Sequence, residues 1–167
     1  MNNERKWILR GGRVLNPAPF CLIGIVNVTP DSFSDGGKYI NPRNAVAHGL
    51  RLLDEGAGML DLGAESTRPF AEPVPEGEEI ARLMPVVARL REQRPDAVLS
   101  VDTLKAGTAR AALEGGADII NDVSACVADP ALLDVLAEYK PGYVLMHSQG
   151  SPREMQVNPR YGNVVEE

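Results

Sequence analysis

Asn27, Asp61, Asp102, Asn121 and His147 each stand at the C-terminal edge of an apolar run, and together they offer carboxylates, carboxamides and one imidazole. Carboxylates accept N–H bonds and carboxamides both donate and accept, so such a set can bind and orient a polar ligand. Asn27 opens the stretch Val28-Thr29-Pro30-Asp31-Ser32-Phe33-Ser34-Asp35-Gly36-Gly37, which packs two carboxylates, three hydroxyls and an aromatic ring into one polar loop. An ordinary strand-to-helix connection takes about 2–6 residues, whereas this one spends roughly ten before helical periodicity begins. A loop of that length and polarity on a compact scaffold points to binding or catalysis. A second polar loop, Ser66-Thr67-Arg68-Pro69, follows the next apolar run.

The elements that must position these residues alternate. Apolar runs of strand length over 20–27, 58–62, 97–102, 117–121 and 142–147 interleave with helical periodicity over 42–55, 76–93, 105–114 and 130–138. Val46, Leu50 and Leu53 recur at helical spacing, with Asn41-Pro42 before them and Gly56 beyond. Ile80, Leu83, Met84, Val87 and Leu90 line one face of the second helix, and Pro85 within it predicts a kink or a break. Asp129-Pro130 opens the fourth helix by the same cap-then-proline rule. Near-continuous apolar strands imply burial on both faces and a parallel sheet. Polar residues at successive strand ends are the layout of a (β/α)₈ barrel's catalytic face, and no G-x-G-x-x-G follows the first strand to favour a dinucleotide fold. The expected fold class is α/β, a TIM-type barrel with about five of its eight units. Residues 1–16 form an N-terminal hairpin extension around Gly11-Gly12, and 17–167 form a single truncated barrel domain.

Composition narrows the partners. The 167 residues carry 44% apolar content, enough for one core, and a net charge of −6 without a basic stripe, which argues against a nucleic-acid partner. Cys21 and Cys126 are far apart with no C-x-x-C spacing and read as reduced thiols of a cytoplasmic protein. No apolar run approaches the ~20 residues of a membrane span, and no signal-peptide core follows Arg5 and Lys6.

The loop at 27–37, together with Asp61-Leu62-Gly63-Ala64-Glu65-Ser66-Thr67-Arg68-Pro69, Ser100-Val101-Asp102-Thr103, Ile120-Asn121-Asp122 and Leu145-Met146-His147, resembles the dihydropteroate synthase family in order and spacing from about residue 20 onward. The resemblance implies an N-terminal part of a transferase of folate biosynthesis. That enzyme joins 6-hydroxymethyl-7,8-dihydropterin pyrophosphate to p-aminobenzoate, giving 7,8-dihydropteroate and pyrophosphate. It implies Mg²⁺ at Asn27, where a hard cation would take an amide oxygen beside substrate phosphate oxygens. Asp102 and Asn121 would read the pterin edge and Met146 would wall it, although Asp102 also fits an N-cap of the following helix. Ser66 and Thr67 would contact substrate, Phe33 and Pro69 would flank the benzoate ring, and Asp35 would pair with Arg68 as the loops close. Asp61 reads as a buried carboxylate bonded to loop backbone and His147 as a neutral ring in the mouth. His48 reads as an ordinary helix residue.

Ala64 and Phe70 stand where the family commonly has Gly, which bears on the benzoate side. The family's later Asp-Pro-Gly, Ser-Arg-Lys and Arg-x-His blocks do not occur in these residues, so negligible turnover is expected unless a second chain completes the barrel. The intact family forms homodimers. Two alternatives stand beside the synthase: an inactive or partner-dependent pterin-binding fragment, and the pterin-binding domain of a corrinoid-dependent methyltransferase. The polar loop at 29–37 speaks against the latter, because methyl transfer needs no pyrophosphate or benzoate loop.

Overall fold

The structure, a computed structural model, describes residues 6–29, 41–65, 73–149 and 158–166. Two short strands, β1 (Trp7–Ile8) and β2 (Val14–Leu15), pair antiparallel around a turn at Arg10–Gly12. The alternating part follows as β3 (Ile23–Asn27), α1 (Pro42–Asp54), β4 (Met59–Gly63), α2 (Glu76–Gln93), β5 (Leu99–Asp102), α3 (Ala106–Glu114), β6 (Ile119–Asp122), α4 (Leu132–Tyr139) and β7 (Gly142–Leu145). Strands β3 to β7 form one parallel sheet in chain order, each joined to the next through a helix where the described residues trace the crossover. This is an incomplete barrel.

Local sequence explains the element ends. Asn41 caps α1 by accepting the Arg43 N–H at 3.0 Å, with Pro42 at the first helical position, and the helix stops one residue before Glu55. Pro85 does not break α2, which runs unbroken from Glu76 to Gln93. Both Pro85 and Ala81, whose carbonyl Pro85 cannot satisfy, lie on the exposed face, where solvent can reach the orphaned acceptor. Asp129-Pro130 makes a turn before α4 rather than its first residues, and α4 begins at Leu132.

Two apolar layers lie on opposite faces of the sheet. On the helix side, Val26, Leu60, Leu62, Leu99, Val101 and Ile120 meet Val46, Leu83, Val87, Leu90, Leu113 and Leu132. Each fully buried Leu there stabilises the fold by about 2 kcal/mol relative to exposure. On the inner side, toward the N-terminal ends of the strands, Leu9, Met59, Val98 and Ile119 form a smaller cluster with Trp7, Leu15 and Val144. The hairpin closes the bottom of the sheet in this way. Gly142 permits the contact, since a Cβ there would stand 2.8 Å from Leu9 Cδ2 and 2.9 Å from Ile119 Cγ1.

Arg13 from the hairpin side and Arg91 from α2 both bond the buried Asp118, at 2.6 and 2.9 Å. Burial on both faces holds for the central strands but not for β3. Ile23 and Ile25 are 54% and 62% exposed on its inner face while Gly24 and Val26 are buried on the other. β3 pairs with β4 alone, and among the described residues nothing covers its inner face.

Candidate functional site

The register of the sheet sets the chemistry in tiers. Asn27 pairs with Gly63, Gly63 with Asp102, and Asp102 with Asn121, so these positions form one row across the C-terminal ends of β3 to β6. Side chains alternate along a strand, so a lower tier on the same inner face holds Ile25, Asp61, Ser100 and Ile119. Asp61 is therefore not at a strand end, because β4 continues to Gly63, whose carbonyl accepts the Val28 N–H at 2.6 Å. Gly63 keeps the upper row open. A Cβ there would lie 3.8 Å from Asp102 Oδ2 and 3.9 Å from Asn27 Oδ1.

Asp102 is half-buried, and its carboxylate has no hydrogen-bond partner among the described residues. Burial pushes its pKa up to about 7, with the charges of Asp61, Glu79, Asp122 and Glu65 adding to the shift. It does not cap α3. The Lys105 N–H bonds Thr103 Oγ1 at 3.2 Å, the Ala106 N–H bonds Asp129 Oδ2 at 2.8 Å, and the Gly107 N–H bonds Glu76 Oε1 at 2.8 Å. The first turn of α3 is supplied by other residues, which leaves the Asp102 oxygens to the mouth.

Asn121 Nδ2 donates to Asp61 Oδ2 at 3.0 Å, reaching down one tier and across β5. The expected loop-backbone partner of Asp61 is thus replaced by a side chain sixty positions away. The other Asp61 oxygen, Oδ1, and Ser100 Oγ are buried without a partner among the described residues, on neighbouring positions of the lower tier. Such atoms in a polar interior suit an ordered water.

Behind the row, Glu79 is fully buried in the first turns of α2 and bonds Lys105 Nζ at 2.6 Å through Oε2. Lys105 also bonds Glu65 Oε2, at the end of the segment leading from β4. Burial lowers the Lys105 pKa, but the bonds to Glu65 and Glu79 outweigh it and hold the ammonium. At the end of β6, burial would raise the pKa of the buried Asp122. Hydrogen bonds from the Ser124 hydroxyl and N–H, the Cys126 N–H and the Tyr143 hydroxyl keep its pKa below the usual carboxylate value.

The sequence reading missed the Glu65–Lys105–Glu79 cluster. Glu79 ends the acidic run Glu76 to Glu79, and a charge run at a helix start ordinarily faces water. Only its place one turn before the buried Leu83 hints at burial.

Asn27, at the end of β3, is exposed. No group of three or more His, Cys, Asp or Glu placed to hold a metal occurs among the described residues. A hard cation held by one amide oxygen and completed by phosphate oxygens and water needs no such group, and the space left by Gly63 beside Asn27 Oδ1 fits that mode.

Met146 is half-buried just past the end of β7 and belongs to neither apolar cluster. His147 is exposed rather than enclosed. β7 ends at Leu145, and the imidazole lies 5.4 Å from the Tyr161 ring. Phe33, Asp35, Ser66, Thr67, Arg68 and Pro69 lie outside the described residues, as does Phe70.

Known proteins resemble this chain in sequence and in fold. The chain is 46% identical to dihydropteroate synthase of Mycobacterium leprae over 151 residues, 90% of this chain and 52% of that protein. It is 47% identical to the Bacillus subtilis synthase over 77% of this chain and 45% of that one. The solved structure of the Xanthomonas albilineans synthase with 4-aminobenzoic acid superposes with a TM-score of 0.80 at 47% identity, over 95% of this chain and 56% of that chain. The Burkholderia cenocepacia synthase complexed with 7,8-dihydropteroate gives 0.79 at 38% identity, over 96% of this chain and 53% of that chain. The chain spans about half the length of the curated relatives it matches. The sequence profile of the family described as pterin binding enzyme matches residues 23–167, and the chain belongs to that family.

Proposed function

We propose that this chain carries the pterin-gripping part of a dihydropteroate synthase, a transferase that forms 7,8-dihydropteroate from 6-hydroxymethyl-7,8-dihydropterin pyrophosphate and p-aminobenzoate. The aniline nitrogen attacks the methylene carbon, the carbon–oxygen bond breaks, pyrophosphate leaves with the electron pair, and the nitrogen gives up a proton. The observation that carries this reading is the Asp102 carboxylate, without a hydrogen-bond partner among the described residues, at the mouth beside the Asn121 carboxamide. A pterin edge offers N–H donors beside acceptors, and this pair is its complement. Met146, past the end of β7 and outside both cores, is the apolar wall of that pocket.

Asn27 would hold Mg²⁺ through Oδ1, and the ion bound there would neutralise charge on the departing pyrophosphate. The carboxylates around Asp102 make that counter-charge necessary, since they would otherwise repel an anionic substrate. Ser66, Thr67, Phe33 and Pro69 enter as substrate contacts, and Asp35 and Arg68 as the pair that closes over the reacting carbon and excludes water. A cytoplasmic setting agrees with the two free cysteines, and the homodimer enters on the resemblance.

Isothermal titration of the chain with 7,8-dihydropteroate tests the grip. Binding is expected in the wild type, with about a 10- to 100-fold loss in Asp102→Ala, because a hydrogen bond to a charged group contributes about 1.5–3 kcal/mol. Equal affinity in both proteins contradicts the assignment.

A further inference from the structure

We infer that Asp61 is a positioning residue that fixes the sense in which the Asn121 carboxamide faces the mouth, which makes it a determinant of ligand specificity. The inference deepens the pterin reading above and rests on it for the identity of the ligand.

A carboxamide has two arms of similar size, one donating and one accepting, and an unconstrained Asn presents either to a ligand. A carboxylate removes the choice, because it only accepts. Asp61 Oδ2 takes the Asn121 Nδ2–H at 3.0 Å from the tier below. The Asn121 Oδ1 arm must then diverge from that bond, toward the upper row that holds Asn27 and Asp102. Gly63 directly follows Asp61 on the same face and carries no side chain to block the upper position. No other hydrogen bond holds either side chain among the described residues: Asp61 Oδ1 is buried without a partner, and Asn121 makes only this contact.

The mouth therefore leads with acceptors at both Asp102 and Asn121. A heterocycle with N–H donors along that edge is matched, and one with acceptors there leaves buried polar groups unpaired. The asymmetry follows from Asp61, which no ligand in the mouth needs to touch.

The test uses the Asn121 side-chain amide resonance in a ¹H–¹⁵N correlation spectrum of the chain, identified by its absence in Asn121→Ser. In the wild type without ligand, one Nδ2 proton should be displaced from free-amide values and slow to exchange with solvent. Asp61→Asn keeps size and hydrogen bonding but offers donor and acceptor alike, so Asn121 loses its fixed sense. Its resonance should move toward free-amide values while the melting temperature stays near wild type, and 7,8-dihydropteroate should bind about tenfold more weakly.

A freely exchanging Asn121 amide in the wild type overturns the inference without recourse to any variant. So does an unchanged resonance, or unchanged affinity, in Asp61→Asn. A held amide in a wild-type chain that takes up no 7,8-dihydropteroate would instead sink the proposed function and leave the orientation by Asp61 standing.

Discussion

Asp102 holds a carboxylate where several others already stand, and that crowding has a measurable cost. Its folded pKa of about 7 lies above the ordinary value of 3.8, with burial the largest cause and Asp61, Glu79, Asp122 and Glu65 adding to it. Between those two pH values the folded protein keeps a proton that the unfolded chain has released. Stability therefore falls as pH rises from 3.8 to about 7 and levels off above. Asp122 is shifted the other way, and its contribution is lost only as pH falls below the ordinary carboxylate range, so the two windows do not overlap. Asp102→Asn should flatten the decline between those limits, read as melting temperature against pH. An unchanged slope in the variant would place the titrating group elsewhere. Under the proposed reading, a pterin donating N–H bonds to Asp102 would favour the charged form, so the residue that weakens the free protein would be prepared for that ligand.

At the scale of elements, the joint between α2 and the β5–α3 connection depends on Lys105. Glu79 is fully buried, with Oε2 on Lys105 and Oε1 without a partner among the described residues. Removing the lysine strands that charge in the interior of the helix layer. Lys105→Met should cost on the order of 3 kcal/mol in urea unfolding. Glu79→Leu added to it should recover most of the loss, because an apolar pair of similar volume needs no counter-charge. A single substitution with no effect on the unfolding midpoint would show that Glu79 does not depend on Lys105 for its place in the interior.

The order of strands and helices was legible because strand-length apolar runs and helical spacing are local signals, and α1 was readable nearly to the residue from Asn41-Pro42 and Gly56. Pro85 was misleading. Its effect depends on which face meets water, and local sequence does not determine that. The buried Glu79 was illegible for a related reason, since a charge run gives no sign that its last member turns inward.

At the scale of the whole molecule, the row Asn27–Gly63–Asp102–Asn121 is a property of register, not of any one strand. Asn27, Asp102 and Asn121 were readable in the sequence as strand-end residues, whereas the apolar run before Asp61 pointed to that carboxylate where Gly63 stands. That Asp61 sits one tier below and bonds Asn121 was not readable, because it needs the alignment of three strands. The exposed Ile23 and Ile25 escaped the sequence too, since an edge strand and a central strand can carry the same apolar run. The sheet's two outer strands, β3 and β7, each have one paired neighbour among the described residues, so the inner face is open beside the mouth.

The most direct measurement is a crystal structure of the chain with 7,8-dihydropteroate bound. The pteridine edge should lie within hydrogen-bonding distance, about 2.7–3.2 Å, of an Asp102 oxygen and the Asn121 carboxamide. A pteridine seated elsewhere, with Asp102 still unpartnered, would contradict the assignment of this row as the pterin site.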